Sequence, residues 1–176
     1  RHVTSNVEIK TPEDMKGLKI RVPNAPLYMM FPLAVDANPT PIAFAEVYLA
    51  LQQGTVDAQE IPLPTIQAKK FYEVQKFITL TGHITDALLT IVGGPAWGAM
   101  SPEDQTALDG VLDATAVCAS DQITQKEKDL VQWFKDQGVS VNEVDRTPFR
   151  EATMKLHNGA DATWDQATYD KLQAIK

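Results

Sequence analysis

An α/β architecture is the fold class this sequence predicts, and three observations carry that prediction. Short apolar or alternating segments of strand length recur between amphipathic segments of helix length. Gly and Pro mark most of the joints between them. One long helical ladder then occupies much of the second half.

The elements follow in order. Thr11-Pro12-Glu13-Asp14 is a helix start: a hydroxyl at the N-cap, Pro at the first helical position, and acids at the positive end of the helix. Gly17 ends that helix after one turn, and Leu18 to Val22 alternates as a strand, with Leu18, Ile20 and Val22 facing a core and Lys19 and Arg21 on the polar face. Leu27, Met30 and Phe31 belong to a helix, Asn38-Pro39-Thr40-Pro41 to a turn, and Ile42 to Phe44 to a short strand. Glu46 to Gln53 reads as a helix closed by Gly54, Val56 to Ile61 as a strand, Ile66 to Val74 as a helix and Phe77 to Thr81 as an alternating strand. Leu88 to Val92 is apolar throughout, the pattern of a strand buried on both faces.

The pattern changes at Gly93-Gly94-Pro95. Ser101-Pro102-Glu103-Asp104 opens a helix whose apolar ladder (Leu108, Val111, Leu112, Ala119, Ile123, Leu130, Val131, Phe134) runs to Gly138. Unbroken, it would be roughly 54 Å long at about 1.5 Å per residue, too long for one compact lobe. It therefore predicts a helix spanning two lobes, with Gly110 and the weakly apolar Thr124 to Lys128 as places for a kink. Val139 to Val144 follows as a strand, then Pro148 to Leu156 and Tyr169 to Ile175 as helices.

Composition excludes several functions. The net charge is −7, and no Lys/Arg cluster exceeds the pair Lys69-Lys70, so the footprint of a nucleic-acid or anionic-membrane partner is missing. No apolar run approaches the roughly 20 residues of a spanning helix, so no direct insertion into a bilayer is expected. One cysteine, Cys118, makes no disulfide or cysteine-based metal site. His2, His83 and His157 lack any metal-ligand spacing, and no nucleophile elbow or phosphate loop occurs, so no catalytic residue, metal or cofactor is expected. The chain opens at Arg1 with no initiator Met or signal segment, which leads to the expectation that an upstream part has been removed.

Few residues remain to carry chemistry. Asp57 and Glu60 form an acid pair three apart, usable for acid–base work and equally ordinary as solvated or capping acids. Arg21 is an ordinary surface arginine unless a pocket surrounds it, in which case its planar fork suits a carboxylate better than Lys could. Trp97, Trp133 and Trp164 suit packing.

Three stretches resemble a known family: Thr11 to Pro23 (TPEDMKGLKIRVP), Pro39 to Gln52 (PTPIAFAEVYLALQ) and Gln67 to Val74 (QAKKFYEV). They are similar to the DctP-type solute-binding proteins of tripartite ATP-independent periplasmic (TRAP) transporters, and the likeness weakens after His157. The resemblance implies a two-lobed, periplasmic-binding-protein-like α/β fold whose lobes close on the ligand. Only the C-terminal part is represented: 1–87 as most of the second lobe, and 88–176 as the return to the first lobe with the long interlobe helix and C-terminal helices. It implies a monomeric, periplasmic, non-enzymatic binder that delivers a small organic acid to a membrane-embedded permease. Arg21 matches the family's carboxylate-clamping arginine, Arg1 a second arginine on the same carboxylate, and Phe44 an aromatic wall. Glu60 and Ile61 complete the expected ligand-binding set. Ile61 stands where sialic-acid binders carry an Asn, so a smaller sugar acid or another monocarboxylate fits better, since a lost amide leaves a polar ligand group without its partner. The rival readings are a small α/β hydrolase or lyase using Asp57 and Glu60, and a fragment that does not bind.

Overall fold

The alternation at Leu18 to Val22 forms a strand, β2 (Lys19–Val22), which lies second from one edge of a mixed six-stranded sheet. The computed structural model describes residues 1–157, 159 and 164–175; the remaining positions of the expected 88–176 segment lie outside the described residues. The other strands are β1 (His2–Ser5), β3 (Asn38–Pro41), β4 (Ala58–Ile61), β5 (Phe77–Thr79) and β6 (Ser140–Asn142), in the order β3-β2-β4-β1-β5-β6. β1 runs antiparallel to β4 and β5, while β2–β3, β2–β4 and β5–β6 are parallel.

Helices cover both faces of this sheet, so alternate strand residues enter different cores. On one face Val3, Ile20, Val22 and Ala58 pack with Phe31 of α1 (Pro26–Ala34) and with Phe149, which belongs to a later helix, Thr147–Met154. On the other, Ile61 and Ile78 pack with Val47 and Leu51 of α2 (Val47–Gln52) and with Leu63 and Ile66 of α3 (Leu63–Ala68). Leu130 and Phe134 close that second core from the long helix. Each such side chain contributes about 1.5–3 kcal/mol when fully buried.

Between β5 and the long helix stands the short α4 (Gly94–Gly98). The long helix itself, α5 (Pro102–Asp136), is continuous over 35 residues with no break at Gly110. Ser101 caps it by accepting the Asp104 N–H at 3.1 Å, and Gly138, at φ +84°, follows its end. The later helices are α6 (Thr147–Met154), packed on α1, and α7 (Gln166–Gln173).

The structure corrects five expectations. Asn38 to Pro41 is a strand, not a turn. The Asn38 and Ile42 N–H groups donate to Leu18 and Val22, and the prolines occupy the intervening positions of this edge strand, where a missing N–H costs no ladder bond. Phe44–Glu46 is accordingly a 3-10 turn leading into α2. The helix expected from Ile66 to Val74 breaks at Lys70, whose φ is +58°, into α3 and a 3-10 turn at Phe71–Glu73. Leu88 to Val92 forms no strand: Leu88 is 92% exposed and no sheet edge pairs with it. Most of the apolar ladder on α5 is uncovered, since only Leu130 and Phe134 are buried while Val111, Val117 and Ile123 are exposed.

The last turns of α5 pack on α3, and β6 and α6 join the body built by the first half, whereas the stretch from Thr85 to about Lys126 stands largely exposed.

Candidate functional site

β2, β3 and β4 are parallel, so their C-terminal ends open on one side of the sheet, where α/β folds commonly place ligands. Arg21 lies near the end of β2, Phe44 just beyond β3, and Glu60 and Ile61 at the end of β4. β1 is antiparallel to β4 with His2 opposite Ile61, which brings Arg1 to the same rim.

Arg21 is 3% exposed, although its register opposite Gln59 keeps it on a polar position of the strand. Its Nε donates to the Ile42 carbonyl at 2.9 Å, and its guanidinium carbon sits 5.9 Å from the centre of the Phe44 ring. It forms no ion pair among the described residues. Burial, reinforced by the charge of Arg1 and opposed by that of Glu60, lowers its pKa. Of a guanidinium's five N–H groups only the Nε–H is committed, so the outer fork is left to recognise a planar anion.

Arg1 is arranged in the opposite way. Nε and Nη2 take the two Glu60 carboxylate oxygens at 2.5 and 3.0 Å, Nη2 also takes the Glu60 carbonyl at 2.9 Å, and Nη1 takes Asp86 Oδ2 at 2.7 Å. Its guanidinium lies 4.9 Å above the Tyr28 ring, and the Tyr28 hydroxyl donates to Asp86 Oδ1 at 3.3 Å. Burial works against the Arg1 charge, but Glu60 and Asp86 outweigh it and raise its pKa. The structure therefore brings Arg1 and Glu60 together as an ion pair.

Glu60 is fully buried and takes a further contact from His83 Nε2 at 3.3 Å. A carboxylate only accepts, so Nε2 carries the proton and Nδ1 accepts from the Thr81 hydroxyl at 2.7 Å. The imidazole stacks on Phe31 at 3.8 Å, and burial lowers its pKa despite the pull of Glu60. His83, Asp86 and Tyr28 were not singled out from the sequence for this cluster. No spacing signal could have found them, because Glu60 meets His83 across 23 residues and Arg1 meets Asp86 across 85.

Other expected residues fall differently. Ile61 is 6% exposed and packs in the core with Leu63 and Ile78. Asp57 turns away from Glu60 and accepts the Lys19 N–H at 2.8 Å, so the two acids have separate partners and form no acid–base pair. Phe44 is 42% exposed, packs edge-on against Phe71, and has the Lys69 ammonium 5.4 Å from its centre. A separate cavity of about 330 Å³ between Thr81, Arg146, Phe149 and His157 touches this cluster at His83 and its partner Thr81. Among the described residues no group of acids, histidines and cysteines could hold a metal ion, and no helix is long and apolar enough to cross a membrane.

The profile of bacterial extracellular solute-binding protein family 7, DctP, matches residues 1–162. The chain belongs to the DctP family. Among relatives, the sialic acid-binding periplasmic protein SiaP of Vibrio cholerae is 39% identical over 99% of this chain and 54% of its own length. The 2,3-diketo-L-gulonate-binding periplasmic protein YiaO of Escherichia coli is 38% identical over 86% of this chain and 47% of its own. A TRAP periplasmic solute-binding protein of Roseobacter denitrificans with bound 3-deoxy-D-manno-oct-2-ulosonic acid superposes with a TM-score of 0.90 at 34% identity, covering 100% of this chain and 60% of that one. One from a Polaromonas species bound to D-erythronate gives 0.92 at 31%, covering 99% and 58%. The chain thus spans about half the length of the DctP relatives it matches.

Proposed function

We propose that this DctP-family chain carries half of a ligand cleft in a periplasmic solute-binding protein, which captures a small sugar acid as a monomer and delivers it to the membrane permease of a TRAP transporter. Arg21 carries this reading: its Nε–H is given to a carbonyl, no carboxylate of the described residues pairs with it, and its outer fork is left open to a planar anion. Phe44 supplies the wall beside it, and Arg1, held by Glu60 and Asp86, adds its one remaining N–H and a fixed positive rim. Relatives and structural neighbours described with sialic acid, diketogulonate, a ulosonic acid and erythronate support a polyhydroxylated monocarboxylate as the ligand class. Binding without chemistry is favoured over hydrolysis because Asp57 and Glu60 are committed elsewhere. The exposed α5 ladder and the uncovered Leu88 to Ile91 are taken as surfaces that the other lobe packs against.

Calorimetric titration of sugar acids into the full-length protein tests the reading. Arg21→Lys should weaken binding by about 2 kcal/mol, because the charge stays but the planar fork is lost, and Arg21→Met should weaken it further. Undiminished affinity in the folded Arg21→Met variant would remove the central residue of the site.

A further inference from the structure

No residue from Thr85 to Lys126 is buried, so this stretch is an excursion that leaves the packed body after β5 and rejoins it in the last turns of α5. Its two ends meet at one side chain. His2, on β1, stands between Gly82, where the chain departs, and Glu127, where it returns. The Gly82 N–H donates to His2 Nδ1 at 3.3 Å, and His2 Nε2 lies 3.5 Å from Glu127 Oε2. Because Nδ1 accepts, the ring proton sits on Nε2 and faces the carboxylate. A single imidazole thus serves both legs of the excursion.

Each leg is also fastened to the body near that point. On the outgoing side Arg146 Nε donates to the Leu80 carbonyl at 3.0 Å, and the Leu80 N–H donates to the Asn142 carbonyl at 2.9 Å. On the returning side Glu127 Oε1 accepts the Leu63 N–H at 3.0 Å, at the start of α3 and just beyond β4. His2 itself is fixed opposite Ile61 by the β1–β4 register. Among the described residues no other side chain has polar partners on both legs.

We propose that His2 is a positioning residue for ligand capture: by joining the two legs it fixes the angle at which the excursion leaves the body, and with it the opening of the cleft before a ligand arrives. The inference rests on the reading above that the other lobe packs on this excursion, and deepens it. Two unjoined crossings can swing separately, whereas crossings pinned at their base move as one unit. When the arrangement that can close on a ligand is only partly populated, apparent affinity falls by that fraction, so a looser pin weakens binding without touching the ligand.

The test uses the full-length protein carrying Cys118→Ser, with spin labels at Lys76→Cys in the body and at one exposed position of the other lobe. His2→Leu removes both contacts. His2→Asn keeps an acceptor in the place of Nδ1, and His2→Gln carries an N–H to the place of Nε2. In all three the ligand-free interlobe distance distribution should widen by at least half. Binding of D-erythronate or L-galactonate, whichever the unaltered protein holds, should weaken at least threefold while the ligand-bound distance stays the same. A role in stability alone would lower the unfolding midpoint and leave the distribution as it was. An unchanged ligand-free distribution in His2→Leu overturns the pin, and so does full restoration by Asn or by Gln, since one contact would then suffice. This readout decides the matter whether or not either acid binds. Fast amide exchange from Asp104 to Ala119 in the full-length protein would instead overturn the packing of the other lobe on the excursion, on which the pin rests.

Discussion

Glu60 shows how one residue can be ordinary in a sequence and decisive in a fold. A fully buried carboxylate is tolerable only because Arg1 and His83 meet it, and removing one partner of such a pair costs about 3–5 kcal/mol. Arg1→Met should therefore destabilise the protein by that order in denaturant unfolding, and more than Arg21→Met, which has no carboxylate partner to orphan. His83 makes the cluster sensitive to acid. Its pKa is lowered by burial, so below the ordinary histidine value of 6.5 the unfolded chain takes up a proton that the folded one resists. Stability contributed by this group is present above that value and is lost as pH falls below it toward the folded pKa. Denaturant midpoints measured between pH 7.5 and 5.5 should fall on acidification, and His83→Gln should flatten that slope; an equal slope in the variant would assign the acid sensitivity elsewhere.

At the scale of elements, joints matter more than interiors. Gly82 has φ +55°, and a Cβ there would lie 2.7 Å from Nη1 of Arg146, whose Nε donates to the Leu80 carbonyl at 3.0 Å. Gly138 has φ +84° with nothing within 4 Å of the same atom. Gly138→Ala should cost about 1–2 kcal/mol for the left-handed backbone alone, and Gly82→Ala should cost more by whatever displacing Arg146 requires. Thermal unfolding of the two variants side by side measures the difference. α5 is uneven along its length: Leu130 and Phe134 are buried, whereas Val111 and Val117 are 60% and 65% exposed. Most helical stability comes from a packed face, so in this chain amides from Glu127 to Asp136 should exchange with deuterium far more slowly than those from Asp104 to Ala119. Uniform protection along the helix would contradict this account.

For the whole molecule, the two cores and the uncovered segments respond differently to substitution. Ile78→Ala in the 176-residue chain should cost about 2–5 kcal/mol, because it opens a cavity between β5 and the helices. Leu88→Ser, at a position 92% exposed, should change stability by less than about 0.5 kcal/mol and improve solubility. In the full-length protein the same Leu88→Ser should be destabilising, since the proposed first lobe would cover it. Unfolding curves of both lengths, with and without the substitution, check the pair.

The sequence by itself determined the α/β class, the strand at Leu18 to Val22, and the long helix from Pro102 with its Ser101 cap, because these depend on local periodicity and cap chemistry, while the continuity of that helix through Gly110 was left for the structure to decide. It also drew attention to Arg21, whose place in an alternating strand put it on a polar position. It misread Asn38 to Pro41, since two prolines look like a turn until the strand is known to lie at a sheet edge. It misread Leu88 to Val92, since an apolar run states only that burial is favourable and not what provides it. Tertiary structure decided the chemistry of the rim. Ordering β1 beside β4 brought Arg1 to Glu60, and the path of the chain beyond β5 carried His83 and Asp86 to the same pair. Ion pairs and hydrogen bonds act over a few ångströms of space, and spacing along the chain says nothing about them once the partners are separated by several elements.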